Sequence, residues 1–142
     1  MKSVFFPLMA GLLAGSSEQS QKLTEKHVPM TVKNAFEKRY QGIKATWSIE
    51  DENYKANFRQ HGRSMSTVID RNGIIVETEI DIAVTDQPGS VLDFMQKNCG
   101  GVKIEESARI VQANGDINYE TEVHHKDTSF DAEGKFINKM KD

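Results

Sequence analysis

Two stretches of this chain read alike, and a chain that states one unit twice has few ways to fold. Tyr54 to Val76 runs YKANFRQHGRSMSTVIDRNGIIV, and Tyr119 to Ile137 runs YETEVHHKDTSFDAEGKFI. Each opens on a tyrosine, alternates apolar and polar residues, turns through polar residues and alternates again. Each then reaches Asp-x-x-Gly, at Asp70–Gly73 and Asp131–Gly134, and a further apolar run. Aspartate accepts hydrogen bonds from the amides of its own turn, and glycine supplies the positive φ that closes it. The tetrads therefore predict tight turns between antiparallel strands.

The likeness continues upstream. Pro29 and Pro88 lie 59 positions apart, and at that offset Val32 matches Val91, Ala35 matches Phe94, Phe36 matches Met95, Tyr40 matches Cys99 and Ile43 matches Val102. The spacing i, i+3, i+4, i+8, i+11 is the apolar stripe of an amphipathic helix. A proline at the start suits a helix, since its missing amide hydrogen is no loss there. Gly42 and Gly100-Gly101 stand where the two helices end. The offset drifts to 65 at the tyrosines and 61 at the last glycines, so the second copy has a longer first hairpin and a shorter second one.

Pro-x-x-Val-x-x-Ala-Phe at 29–36, the following Gly-Ile, Tyr54-x-x-x-Phe58 and Asp-x-x-Gly resemble the PepSY-like periplasmic proteins. These form a β-lactamase-inhibitor-like group found mostly in Bacteroidetes. The resemblance covers residues 27–140. It implies an α+β fold of two tandem helix-plus-four-stranded antiparallel meander repeats, 27–84 and 85–142. These merge into one curved sheet with both helices on one face. It also implies that the sheet's open face binds protein, while the biochemical role within the group is largely unassigned.

Met1 to Ser17, MKSVFFPLMAGLLAGSS, has the order of a signal peptide: Lys2, an apolar core from Val4 to Leu13, then small residues at Ala14-Gly15-Ser16. The apolar run is shorter than the ~20 residues that span a bilayer. Leu12-Leu13-Ala14-Gly15 resembles a lipobox, but Ser16 stands where the acylated cysteine belongs. The expectation is a periplasmic or secreted protein without membrane insertion after signal removal. A lipid anchor is the alternative if Ser16 replaces a native cysteine. Residues 18–26 are polar and aperiodic and read as a flexible leader. Of 18 basic side chains, 17 remain without Lys2, against 21 acidic ones. Such a balance argues against nucleic acid as a partner. A single cysteine, Cys99, excludes an internal disulfide and sits on the second apolar stripe as a small hydrophobe.

The pattern predicts helices over 30–40 and 90–99. Strands are expected over 44–50, 53–60, 63–70, 74–84, 102–112, 118–125, 127–131 and 135–140, with Asn114-Gly115 as a hairpin turn. Alternation puts Trp47, Ile49, Ala56, Phe58, Met65, Ile69, Ile74, Val76, Ile80, Ile82, Ile104, Ala108, Ile110, Tyr119, Val123, Phe130 and Phe136 on the side the helices cover. The opposite, wet side collects Ser48, Lys55, Asn57, Arg59, Ser64, Ser66, Glu77, Glu79, Asp81, Glu105, Ser107, Arg109, Glu120, Glu122 and His124.

Chemistry is sparse. No Ser/His/Asp constellation or phosphate loop stands out, so neither an enzyme nor a cofactor is expected. His124 and His125, adjacent in a strand, would point to opposite faces, which argues against a shared metal with or without His61. The ladders Glu77-Glu79-Asp81 and Glu120-Glu122 fit a solvated face, with a divalent ion as the sharper reading. Two functions follow. One is a non-catalytic envelope module engaging a protein or peptide through Lys55, Asn57, Arg59, Glu77, Glu79, Arg109, Glu120, Glu122 and His124. The alternative is a small-ligand or divalent-ion-binding periplasmic protein.

Overall fold

A computed structural model describes residues 21–100 and 103–139; the expected signal peptide lies outside the described residues. Near the N-terminus, strand β1 (Gln21–Leu23) is followed by a 3-10 turn at Glu25–His27 and helix α1 (Met30–Arg39). Three hairpin-linked strands follow, β2 (Thr46–Glu50), β3 (Asn53–Gln60) and β4 (Arg63–Ile69), and then β5 (Ile75–Ile82). The expected flexible leader runs over 18–26; within its described part, β1 puts Gln21–Leu23 in a strand instead. Gln21, Lys22 and Leu23 pair with Ile49, Ser48 and Trp47, because the free edge of β2 offers amides and carbonyls that a polar segment satisfies.

The chain divides into two compact units inside β5, with Thr78 the last residue of one and Glu79 the first of the other. In the first unit, α1 buries Val32 and Phe36. Val28, Tyr40, Trp47, Ala56, Phe58, Met65 and Ile69 are buried in the same unit. Phe36 is the hub of an aromatic cluster, its ring 5.6 Å from Trp47 and 5.2 Å from Phe58, both edge-on. Each such contact adds about 0.5–1.5 kcal/mol beyond area burial. The register Trp47↔Ala56 and Phe58↔Met65 puts these residues on the helix side, as alternation predicts. Ile74 is the exception: it lies in the turn before β5 and is exposed.

The second unit repeats the order: a 3-10 turn at Val84–Asp86, Pro88, helix α2 (Gly89–Asn98), then β6 (Glu106–Gln112), β7 (Ile117–Val123), β8 (Lys126–Phe130) and β9 (Phe136–Lys139). α2 buries Val91 and Met95, the positions matching Val32 and Phe36. With Val123 and Phe130 they form a core against which Phe94, Cys99, Ile104 and Tyr119 pack. The nine strands form one antiparallel sheet in chain order, β1 to β9. The fold is α+β, with nine strands among the described residues where eight are expected.

The two tetrads behave alike. Asp70 Oδ1 accepts from the amides of Asn72 (2.8 Å) and Ile74 (3.0 Å), and Asp131 Oδ1 accepts from those of Glu133 (3.0 Å) and Lys135 (2.8 Å). Gly73 and Gly134 take φ of 85° and 84°. Each turn abuts the start of its own unit's helix. A Cβ on Gly73 would meet Thr31, and one on Gly134 would meet Ser90 and Pro88. Ser90 Oγ donates to the Glu133 carbonyl at 2.7 Å.

Candidate functional site

The two hairpins of the second unit fix which side chains meet. Asn114-Gly115 closes β6 onto β7, with Gly115 at φ 93° and Val111 opposite Ile117. His124 and His125, both left-handed at φ 55° and 64°, form a two-residue turn that pairs Val123 with Lys126. Adjacent positive φ values match the twist of a hairpin and so pin its register. From these turns Glu106 falls opposite Glu122, and Glu122 opposite Asp127. Directly opposed residues have Cβ atoms about 4.5–5.5 Å apart, so three carboxylates form a row across β6, β7 and β8. The next row holds Ala108, Glu120 and Ser129.

This row lies on the sheet side away from α2. Thr121, between Glu120 and Glu122, sends its hydroxyl to Met95 Sδ of the helix at 3.6 Å. Glu120, Glu122 and Asp127 are nonetheless buried, Asp127 to 6% exposure, and Asp127 Oδ1 has no hydrogen-bond partner. Burial, with Glu122 and then Glu106 beside it, pushes the Asp127 carboxyl up to about 7. At the hairpin end, Glu105 and His125 complete the group. The His125 amide donates to Glu105 Oε1 at 3.0 Å, and His125 Nδ1 lies 3.6 Å from Glu122 Oε2 and 3.9 Å from Glu105 Oε1.

The first unit shows a different balance on the corresponding side. Lys55 Nζ lies 3.5 Å from Glu50 Oε1, with both side chains largely withdrawn from solvent. Glu77 takes up protons more readily than a free glutamate because of burial and then Glu50, an effect that Lys55 opposes. Lys55 follows Tyr54 as Glu120 follows Tyr119. At equivalent positions, then, one unit buries an ammonium and the other a carboxylate.

The structure redistributes the nine residues expected on an open wet face. Lys55, Glu79, Glu120 and Glu122 are buried; Asn57, Glu77 and Arg109 are half-buried; Arg59 and His124 are exposed. Arg59 is tied to its own hairpin, donating to Ser64 Oγ at 2.9 Å and to the Gly62 carbonyl at 2.7 Å. His124 is not a strand residue but a turn residue. Arg109 and Ser107 are corrections, as are Ala108 and Ile110. Arg109 pairs with Tyr119 and Ser107 with Thr121, which puts both on the helix side. Ala108 and Ile110 take the carboxylate side instead. The cause is local: Glu106 pairs with Glu122 while the Glu105 amide also donates to the Glu122 carbonyl at 2.7 Å. Two residues against one is a bulge, and it inverts the alternation counted through Glu105.

Glu106 and Asp127 were not expected in the site. The signal for them is the two turns, since a two-residue loop at 124–125 places Glu122 against Asp127 by register alone.

No family model and no curated protein matches the sequence. Solved structures do. A DUF2874 family protein from Bacteroides uniformis superposes with a TM-score of 0.73 at 18% identity, covering 78% of this chain and 87% of its own. A protein from Bacteroides eggerthii, provisionally described as periplasmic, gives 0.71 at 16% identity over 80% and 88%. A BLIP-like (β-lactamase-inhibitor-like) protein from Bacteroides fragilis gives 0.65 at 19% identity over 78% and 84%. The chain has the BLIP-like fold. The PepSY part of the resemblance is not among these descriptions. At such identities the BLIP-like likeness concerns architecture and transfers no partner.

Proposed function

We propose that the chain is a non-catalytic periplasmic binding module whose working surface is the acidic side of its second unit, and whose ligand is positively charged. Export is supported by the order of residues 1–17 and by the similarity to a protein provisionally placed in the periplasm. The observation that carries the ligand class is Asp127. It is buried in a row with Glu122 and Glu106, and its Oδ1 has no hydrogen-bond partner. A buried carboxylate oxygen is costly unless something donates to it or neutralises it, and a bound cation does both. A cation, rather than the envelope protein or peptide expected from an open face, is the better fit because only two of the nine residues expected on that face, Arg59 and His124, are exposed.

The test is to follow the amide spectrum of the ¹⁵N-labelled mature chain during titration with spermidine, a lysine-rich peptide and Zn²⁺ in turn. At least one should move the resonances of Glu106, Glu120, Glu122 and Asp127, and the Asp127→Asn/Glu122→Gln double variant should lose the response. Silence toward all three would remove the reading.

A further inference from the structure

We propose that the hairpin end of the second unit is a site for one divalent transition-metal cation, bound by Glu105, Glu122 and His125, with Asp127 directly opposite Glu122 on the neighbouring strand. This rests on the cation reading above and names the ligand. Four features converge on it.

The first is geometry. The candidate ligand atoms of Glu105, Glu122 and His125 all lie within 4.8 Å of one another. Ligands of a tetrahedral Zn²⁺ at about 2.0–2.2 Å stand about 3.3 Å apart. The His125 separations of 3.6 and 3.9 Å are therefore close to closing on an ion without backbone movement.

The second is preorganisation. The left-handed turn that fixes His125 also aims its amide at Glu105 Oε1, so Glu105 is already held toward the imidazole. Outer hydrogen bonds of this kind orient metal ligands before the ion arrives.

The third is the unpartnered Asp127 Oδ1. It is buried directly opposite Glu122, on the same side of the sheet as the other carboxylates. A tetrahedral ion held by three protein ligands keeps water as its fourth, and this oxygen has no competing hydrogen bond to give up in accepting from that water.

The fourth is a gradient of access. The His125 side chain is 87% exposed and that of Glu122 8%. An ion entering from solvent meets the imidazole first and is drawn toward the carboxylates below.

Donor type selects the metal. Ca²⁺ takes six to eight oxygens and Mg²⁺ keeps much of its water, so an imidazole nitrogen favours neither. A nitrogen with two or three carboxylate oxygens suits Zn²⁺ and its first-row neighbours. The competing account is that a protonated His125 merely forms surface ion pairs with two glutamates, which contribute little.

Calorimetry on the mature chain, treated with chelator and then titrated with Zn²⁺ at neutral pH, separates the two. One equivalent should bind, with Ca²⁺ and Mg²⁺ at least tenfold weaker. His125→Asn keeps a residue that tolerates the left-handed turn, and it should weaken Zn²⁺ at least tenfold. Glu122→Gln should do the same. His124→Asn, one residue away and outside the cluster, should bind as wild type. Undiminished binding in His125→Asn, or no Zn²⁺ binding while spermidine still moves the acidic resonances, would overturn the metal site and leave the cation reading standing. Silence to Zn²⁺ and to the organic cations alike would overturn both.

Discussion

Glycines at three turns look interchangeable in the sequence but differ in what surrounds them. Gly134 has positive φ and is buried against Ser90 and Pro88; Gly73 has positive φ and one close neighbour residue, Thr31, ahead of Ala35; Gly115 has positive φ and open space. Backbone strain alone costs about 1 kcal/mol for a side chain in this region. Gly115→Ala should therefore destabilise by about 1 kcal/mol and Gly134→Ala by about 2–4 kcal/mol, with Gly73→Ala between them. Urea unfolding of the three variants checks the order. A Gly134→Ala no worse than Gly115→Ala would mean that the contact between turn and helix start carries no weight.

Most elements were legible before the structure. Both helices, and the eight strands that the hairpin signals delimit, lie within a few residues of expectation, because stripes with a period near 3.6, alternation with a period of 2, and turn chemistry all point the same way. Three things were not legible. β1 has no apolar period of its own and is a strand only because β2 has a free edge to pair with. The bulge at Glu105 and Glu106 leaves no mark in composition, yet it turns Arg109 toward α2 and Ile110 toward the carboxylates. Only half of the acidic row is legible, as Glu120 and Glu122 along one strand, because cross-strand partners are set by register and not by spacing along the chain. The bulge has a measurable consequence. Arg109→Glu puts a carboxylate on the helix side beside Tyr119, where the Arg109 Nε is buried, and should destabilise by about 2–3 kcal/mol. Arg59→Glu loses only contacts within an exposed hairpin and should melt near wild type. Equal effects of the two would favour the uninterrupted alternation.

At the scale of the molecule the acidic row sets how stability depends on pH. An unfolded aspartate titrates near 3.9. Asp127 in the folded chain titrates at about 7, raised by burial, Glu122 and Glu106. Between those values the folded state holds a proton that the unfolded state has released. By linkage, stability falls as pH rises from about 4 to 7 and levels off above. Glu77 acts in the same direction. In chelator, wild type should lose about 1–2 kcal/mol more than Asp127→Asn between pH 5 and pH 8, the effect being reduced where solvent reaches the hairpin end. Parallel melting curves for the two proteins would place the Asp127 titration elsewhere.

The strand order has a further consequence, in time rather than in energy. Every strand neighbours the strand before it in the chain, from β1 to β9. Six of the eight neighbour pairs close through turns two to five residues long. Rates of folding track how far apart in sequence the contacting residues lie, and β proteins are usually slow because their partners are distant. Here each new strand finds its partner already made. A chain that emerges from one end, from a ribosome or a translocation pore, can add strands in the order they arrive. The row of acids on β6, β7 and β8 is then assembled late, after every strand of the first unit and with only β9 still to add.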